Sequence, residues 1–437
     1  MPTVIDADAF SDRIDERRRG ERSFAVVDTR PRESYESWRI ADSVHYFYKP
    51  FHEFDVDDFE AETGLGPGDA IVTTCAKGKA SLDFAEELEA AGYDDVTVVE
   101  DGMRGWSGVY DRTAVPLPDA GDDPLEIVQI QRRAKGCLGY LVVGGRASEA
   151  EAAPDDSVRA AVPDSDAPDR VAIAVDASRH GEEWREAAAE RDASIAAVLD
   201  THVHADHLSG GRALADDLGV PYYLPAAAAE RDVAYAFEPL ARNETVAVGG
   251  VGVKVLATPG HTDDGASYLV GRSAVLTGDT LFTDSVGRTE LQFAAGVGDA
   301  SGDAADGGNE TAGAATGAER LYDSLHGTLL AEPDGVVVCP GHFAVANDGT
   351  TGDVVPGEPV TTTVGAARRG LDVLGLDREA FVETITATLP EKPPNYERVI
   401  AANRGVDSPP DETAAIELEL GPNRCAADAG TEPAADD

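Results

Sequence analysis

The stretch Thr201-His202-Val203-His204-Ala205-Asp206-His207 brings three imidazoles and one carboxylate within six residues. It holds three of the nine histidines of the chain. Imidazole and carboxylate groups are ligands for borderline divalent metals such as zinc and iron. The apolar run before it, residues 195–199, predicts a short buried strand. We therefore expect these histidines on a loop at the end of a strand, where their side chains can converge on one ion.

Three further candidate ligands follow apolar, strand-like runs: His261 in Pro-Gly-His261, Asp279 in Thr-Gly-Asp279-Thr and His342 in Pro-Gly-His342. One His-X-His alone would be as compatible with hydrogen-bonded surface histidines or a single structural zinc as with a functional metal centre. The complete set predicts a metal centre and resembles the metallo-β-lactamase superfamily over residues of about 125–348. That resemblance implies an αββα sandwich with the metal at its rim.

The composition limits the kinds of partner. The chain has 437 residues, which predicts two domains and a tail, and a formal charge of -46 from 82 acidic and 36 basic residues. Such a surface repels nucleic acid and anionic membranes, so we expect neither as a partner. The pattern resembles proteins of salt-loving archaea. We therefore expect the fold to be lost at low salt, where self-repulsion is unscreened.

Cysteine usage and hydropathy bear on location. The four cysteines are widely spaced, which indicates no disulfide framework. The N-terminus MPTVIDADAF lacks the basic start and apolar core of a signal peptide. No apolar run approaches the roughly 20 residues that a membrane span needs. These features predict a cytoplasmic protein.

The first 115 residues alternate strand-like runs with helical stretches, which predicts a parallel sheet with flanking helices. Cys75 lies between a predicted strand (70–74) and a predicted helix (80–91). Loop N–H groups, the helix dipole and the cations of Lys77 and Lys79 would all stabilise its thiolate and make it a nucleophile. The alternative is a buried, inert cysteine.

Three motifs resemble a single-domain rhodanese: Val-Asp28-Thr-Arg with Glu and Tyr soon after it, the CxxGxxS loop that begins at Cys75, and Glu-Asp-Gly102 with Trp106. The resemblance implies that Cys75 carries a sulfane sulfur as a persulfide, taken from thiosulfate or a polysulfide. It also implies that the loop binds substrate through Lys77, Gly78, Lys79 and Ser81. Family loops often have Arg where this chain has Ala80, which leaves donor preference open.

These patterns divide the chain into four parts. We expect a rhodanese-like domain over 1–115, a linker over 116–124, a metallo-β-lactamase-fold domain over 125–348 and a C-terminal extension with an acidic tail over 349–437. Residues of about 294–318 are rich in Gly, Ala and Asp with little apolar content, which predicts a flexible insertion.

By family resemblance, two kinds of metalloenzyme would use this set of ligands. A dinuclear zinc hydrolase would use a first site of His202, His204 and His261, a second of Asp206, His207 and His342, and Asp279 as the bridge. A mononuclear ferrous dioxygenase would use two histidines and one carboxylate, leaving open positions. By resemblance, those residues are His202, His261 and Asp279.

Two segments favour the dioxygenase. The segment Gly287-Arg288-Thr-Glu290 and the C-terminal segments around Tyr396, Asn403 and Cys425 resemble persulfide dioxygenases. Arg288 is a candidate for binding a substrate carboxylate or for locking the rim by an ion pair. A persulfide carrier in the same chain agrees with sulfur chemistry at the metal, because tethering raises effective concentration.

We therefore expect an iron enzyme that oxidises a small thiol persulfide to sulfite. Members of the family it resembles often pair, which implies a homodimer. The alternatives are a dinuclear zinc thioester hydrolase of the hydroxyacylglutathione hydrolase type with an accessory rhodanese domain, and a sensor without turnover.

Overall fold

The computed structural model describes residues 1–50, 53–117, 125–145, 158–160, 170–292, 308–387 and 391–427. The first unit is built on a parallel five-stranded sheet in the order β1-β5-β4-β2-β3. Its strands are β1 (Thr3–Ile5), β2 (Ala25–Asp28), β3 (Ser43–His45), β4 (Ile71–Thr74) and β5 (Val96–Val99). Its helices are α1 (Ala7–Arg18), α2 (Arg32–Ser37), α3 (Val56–Thr63), α4 (Lys79–Ala90) and α5 (Gly102–Trp106). The predicted parallel sheet with flanking helices is confirmed.

The second unit contains two seven-stranded mixed sheets. Strands of the first sheet are β6 (Tyr110–Ala114), β7 (Glu126–Arg132), β8 (Cys137–Val143), β10 (Arg170–Val175), β11 (Ala193–Leu199), β12 (Tyr222–Pro225) and β13 (Glu238–Leu240). Strands of the second are β9 (Val158–Ala160), β14 (Thr245–Val248), β15 (Val251–Ala257), β16 (Ala266–Val270), β17 (Ala274–Gly278), β18 (Val337–Pro340) and β19 (Thr362–Thr363). The helices are α6 (Glu182–Ala189), α7 (Gly211–Leu218), α8 (Gly308–Gly327), α9 (Val364–Gly370), α10 (Arg378–Ala387), α11 (Tyr396–Asn403) and α12 (Glu412–Leu418).

The two sheets pack face to face with helices outside them. Inward side chains such as Ile173 and Leu199 of the first sheet and Val253 and Leu276 of the second form one buried cluster. The outer face of the first sheet packs on α6 and α7, and that of the second packs on α8 and α10. This arrangement is the predicted αββα sandwich. None of the helices in the described ranges has the length and apolar character of a membrane span.

Two predicted boundaries differ from the structure. Residues 110–114 were expected in the first domain, but as β6 they pair antiparallel with β7 and extend the sheet of the second. Residues 308–318 were expected to be flexible, but they form the first half of α8, where Ala314 and Ala318 are fully buried. The small side chains permit this packing: a Cβ on Gly317 would lie 2.6 Å from the Thr289 carbonyl oxygen. The predicted linker from 118 and the predicted insertion up to 307 lie outside the described residues.

Candidate functional site

All seven predicted metal ligands lie in one buried region at the strand ends of the sandwich. The loop with His202, His204, Asp206 and His207 follows β11, and each of these side chains is at most 3% exposed. The remaining ligands stand between or just after the strands of the second sheet: His261 between β15 and β16, Asp279 directly after β17, and His342 two residues after β18. The predicted placement at strand ends therefore matches the geometry.

Three of the seven ligands form a compact triad. The ligand atoms of His202, His261 and Asp279 all lie within 4.8 Å of one another. The Asp279 Oδ2 atom lies 3.8 Å from His202 Nε2 and 3.5 Å from His261 Nε2. All three atoms are buried and have no hydrogen-bond partner among the described residues. Buried polar atoms without partners are costly, so these three atoms fit a site that holds a cation.

Hydrogen bonds on the far side of each ring explain why Nε2 faces inward. The Thr201 hydroxyl lies 3.0 Å from the Asp176 carboxylate, to which it donates, and 2.9 Å from His202 Nδ1, from which it accepts. His261 Nδ1–H likewise donates to the Arg288 carbonyl oxygen at 2.8 Å. With Nδ1 protonated, each neutral imidazole presents an Nε2 lone pair to the triad.

The electrostatic environment favours the metal-binding protonation states of two triad residues. Burial lowers the pKa of His202 well below its ordinary value, and His204 adds to the effect, so this imidazole is neutral. Burial would raise the pKa of Asp279, but His342 above all, with His261 and His202, outweighs it and lowers the pKa. A neutral imidazole and an ionised carboxylate are the states that bind metal.

The second group of ligands is satisfied by internal hydrogen bonds. The His342 ring links Asp279 Oδ1 at 2.6 Å to Asp206 Oδ2 at 2.8 Å. His207 Nδ1 lies 3.0 Å from Asp206 Oδ1, and the Cys137 thiol donates to Asp206 Oδ2 at 3.3 Å. Cys137, Asp206, His207 and His342 also have ligand atoms close enough together to hold an ion.

His204 belongs to neither group. Its Nε2 atom lies 3.3 Å from Asp176 Oδ1, and it clusters with Asp176 and Asp200 instead of the triad. Sequence reasoning placed His204 in the first zinc site, an arrangement that this geometry does not reproduce. It also missed the thiols of Cys137 and Cys425, which stand beside Asp206 and His342. Neither cysteine has a spacing pattern that could have marked it as a ligand.

Arg288 lies beside the centre, because its backbone carbonyl oxygen accepts a hydrogen bond from His261. This guanidinium is buried, pairs with Glu290 through its Nε at 2.5 Å, and donates to the carbonyl oxygens of Glu391 at 2.9 Å and Arg424 at 2.7 Å. Of the two predicted roles for Arg288, these contacts correspond to locking the rim.

Cys75 lies in the first domain, between β4 and α4, and is 5% exposed. The Ser81 hydroxyl donates to its sulfur at 3.4 Å. Gly102, at a φ of +54°, lets α5 approach the Cys75 backbone, because a Cβ at this position would lie 2.0 Å from the Cys75 carbonyl oxygen. Gly78 also has positive φ and lies against Asp101. The exposed Lys77 lies 3.8 Å from Glu417, near the C-terminal end of α12. The exposed Lys79 begins α4.

Comparisons with known proteins agree with this division. Residues 6–108 match the rhodanese-like domain family and residues 169–342 match the metallo-beta-lactamase superfamily. The hydroxyacylglutathione hydrolase of Acidiphilium cryptum is 40% identical over 104 residues, which are 23% of this chain and 42% of that protein. The uncharacterized protein ML0493 of Mycobacterium leprae is 30% identical over 197 residues, covering 40% of this chain and 73% of the relative.

A solved structure, ETHE1 from Myxococcus xanthus, is 28% identical and covers 63% of this chain and 96% of that one, with a TM-score of 0.45. The chain spans less than half of the length of the Acidiphilium relative. The matched residues coincide with the Cys75 sheet and with the sandwich that carries the triad. The chain therefore contains a rhodanese-like domain over residues 6–108, followed by a domain of the metallo-beta-lactamase superfamily over residues 169–342.

Proposed function

We propose that the chain is a mononuclear iron persulfide dioxygenase with an attached sulfurtransferase domain. The observation that carries this proposal is the triad of His202, His261 and Asp279, whose three inward atoms are buried, close together and without partners. Two imidazoles and one carboxylate with open positions are typical of non-haem ferrous oxygenases. A ferrous ion held by this triad would supply redox chemistry with dioxygen.

The second group of ligands supports a single ion. A dinuclear zinc hydrolase would use Asp206, His207 and His342 for its second metal, but these side chains already bond to one another. The zinc thioester hydrolase remains the second candidate, because the Acidiphilium relative is named as a hydroxyacylglutathione hydrolase. Its support in this chain is that Cys137 completes a four-donor set with those three residues.

The proposed net reaction converts a thiol persulfide, dioxygen and water into the thiol, sulfite and two protons. The terminal sulfur is oxidised and dioxygen is reduced. The chain contributes an ionised Asp279 and a neutral His202 for the metal, and a rim locked by Arg288 and Glu290. A cavity of about 170 Å³ beside His342 gives space for a small thiol and is lined by Phe282, Phe343, Asn423 and Arg424 among others.

Cys75 would supply the sulfur. Its thiolate attacks the outer sulfur of thiosulfate, the S–S bond of thiosulfate breaks, and sulfite leaves with the bonding electron pair. The thiolate of a small thiol then attacks the terminal sulfur of the Cys75 persulfide, which releases the Cys75 thiolate and forms the thiol persulfide. The reverse coupling, in which sulfite from the metal centre accepts sulfur from Cys75 to give thiosulfate, uses the same groups.

Metal content and oxygen uptake in one anaerobically purified, high-salt sample test the proposal. We expect about one iron per chain, by the donor set of the triad, and oxygen consumption when a thiol persulfide is added. About two zinc ions per chain, by the dinuclear donor set, without oxygen uptake would refute the dioxygenase and favour the thioester hydrolase.

The proposal assigns sulfur transfer and oxygen uptake to separate sites, which gives a second test. Cys75→Ser should abolish sulfur transfer from thiosulfate and leave oxygen uptake on added persulfide intact. Ser81→Ala, which removes the hydroxyl 3.4 Å from the Cys75 sulfur, serves as a milder variant in the same loop. Equal loss of both activities in Cys75→Ser would contradict independent sites.

A further inference from the structure

A cavity of about 640 Å³ lies between the two domains, away from the triad. One wall belongs to the first domain and includes Phe24, Trp38 and Trp106. The other wall is formed by Ala134, in the turn between β7 and β8, and by parts of the loop 345–356 that follows β18. This volume is within the range of small-molecule sites, which occur preferentially at domain interfaces.

Direct contacts between the domains hold the walls in place. The Trp38 indole N–H donates to the Ala134 carbonyl oxygen at 3.2 Å, and the Arg39 backbone N–H donates to that of Asn347 at 3.0 Å. Gly349, at a φ of +82°, approaches so closely that a Cβ there would lie 2.4 Å from the Arg39 carbonyl oxygen. The cavity is therefore preformed, which lowers the cost of ordering a ligand in it.

The lining combines aromatic rings with guanidinium groups. Two of the three tryptophans of the chain line it, together with the half-buried Phe24. Arg17, Arg18 and Arg39 line it as well, in a chain whose formal charge is -46. Aromatic faces favour flat apolar rings, and arginine favours phosphate and carboxylate groups.

Two of these arginines form no ion pair with a carboxylate of the described residues. Arg17 donates to the Ala41 carbonyl oxygen at 3.2 Å and lies 5.0 Å from the centre of the Phe24 ring. Arg39 lies 4.7 Å from the centre of the Tyr35 ring. Within the described ranges neither guanidinium forms an ion pair with a carboxylate, whereas Arg18 pairs with Asp15 at 3.1 Å.

The surrounding acidic groups compensate these charges only in part. Asp42 also lines the cavity and raises the pKa of Arg17, but burial outweighs it and lowers that pKa. Hydrogen bonds from Thr350 chiefly lower the pKa of Asp348 on the facing loop, and Arg39 adds to this lowering. Arg133, a further lining residue, is neutralised by hydrogen bonds to Asp15 and Asp111. Arg17 and Arg39 thus remain available to an incoming anion.

We propose that this cavity binds an anion of mononucleotide size with a flat aromatic body. Its phosphate or carboxylate would lie between Arg17 and Arg39, and its ring against Trp38 and Trp106. Such a ligand would contact both domains and the loop that follows His342, so its binding would stabilise the pairing of the domains. The site does not depend on which reaction occurs at the metal centre.

Tryptophan fluorescence of the full-length protein tests the site with AMP as the probe. The third tryptophan, Trp184, is 1% exposed and buried under the first sheet, so a ligand-induced change reports on the cavity. We expect AMP to change the fluorescence and to bind at least about tenfold more tightly than adenosine or inorganic phosphate, since each lacks one half of the recognised chemistry. Hippurate, an aromatic carboxylate without indole fluorescence, replaces AMP to distinguish a carboxylate ligand from a phosphate ligand, and tighter binding of either than of adenosine supports the proposal.

Substitutions of the lining arginines test whether AMP binds in this cavity. Arg17→Ala and Arg39→Ala should each weaken AMP binding about tenfold, the value of one charge-assisted hydrogen bond. Arg212→Ala is the matched control, because Arg212 also lies 4.7 Å from a tyrosine ring, that of Tyr235, outside the cavity lining. No fluorescence change with AMP or hippurate, binding of both anions no tighter than that of adenosine, or equal weakening by the control would each overturn the proposal. The first two comparisons use the unaltered protein and so stand even if a variant fails to fold.

Discussion

Glu419 is a buried carboxylate that joins three parts of the chain. It accepts hydrogen bonds from Arg132 at the end of β7 at 3.1 Å, from Arg179 ahead of α6 at 2.6 Å, and from the backbone N–H of Leu208 at 2.7 Å. The Glu419 and Arg132 side chains are 0% and 1% exposed. We predict that Glu419→Gln destabilises the protein strongly, because it leaves the buried Arg132 without a charge partner.

The expected loss in unfolding free energy can be derived in two ways. Removing one partner of a buried ion pair costs about 3–5 kcal/mol. Burial would raise the pKa of Glu419, but Arg132 and Arg179 outweigh it and hold the pKa to about 2 instead of the ordinary 4.5. That difference corresponds to about 3 kcal/mol, in agreement with the first route. At roughly 2–4 °C per kcal/mol, the melting temperature should fall by about 6–20 °C.

The pH dependence has a definite sign. Because the pKa of Glu419 is lower in the folded state, its stabilisation is complete above the unfolded pKa and is lost as pH falls from 4.5 to about 2. The wild-type protein should therefore lose its stability advantage over Glu419→Gln across this acid range. Near-UV circular dichroism recorded during heating at several pH values measures both effects.

Glu412→Gln is the matched control. Glu412 pairs with the same Arg179, but its side chain is 70% exposed, and exposed pairs contribute only about 0–1 kcal/mol. A melting temperature for Glu419→Gln within about 2 °C of that of Glu412→Gln, less than 1 kcal/mol apart, would refute the reasoning. An acid dependence of Glu419→Gln that parallels the wild type would refute the assignment of the lowered pKa.

Three further predictions concern the metal, the sulfur loop and the surface charge. Asp279→Asn should reduce iron content to background, whereas His342→Ala should retain about one iron per chain, because the triad alone would hold the ion. Loss of iron in both variants would contradict the division into a triad and a hydrogen-bonded group. Gly102→Ala should abolish sulfur transfer by displacing Cys75, because its Cβ would meet the Cys75 carbonyl oxygen at 2.0 Å, and it should leave oxygen uptake unchanged in the same assay. Dialysis into dilute buffer should lower the melting temperature of the whole chain, which carries a formal charge of -46, and an unchanged value would contradict charge repulsion.

The sequence was sufficient to predict that the candidate ligands lie close together, because they follow apolar runs. Such runs are buried strands, and in this sandwich their ends meet at one rim, so His202, His261, Asp279 and His342 converge. The division of the seven ligands into a triad and a hydrogen-bonded group could not be predicted in the same way. It depends on the ring orientation of residues such as His204, whose Nε2 lies 3.3 Å from Asp176 Oδ1, on a residue earlier in the chain.

Two errors in the predicted organisation have physical causes. The strand β6 was assigned to the wrong domain because a strand's partner is chosen by tertiary register, which a local pattern does not contain. The start of α8 was interpreted as flexible because its residues are small and weakly apolar. In the fold that smallness is what allows the helix to approach the Gly260 and Thr289 backbones, as the position of Gly317 demonstrates.

The C-terminal extension is part of the metal centre's support and not an appendage. The loop after β11 has few backbone partners of its own, and the Asn403 side chain supplies them by donating to the carbonyl oxygens of His204 at 2.9 Å and His207 at 2.8 Å. The same amide accepts from the Ser209 N–H at 2.9 Å, and Glu419 accepts from the next N–H along, that of Leu208. Buried loop backbone needs such partners, and here they come from about 200 residues downstream. Because α12 also carries Glu417, which contacts Lys77 and Arg104 beside the Cys75 loop, the extension physically connects the two candidate sites.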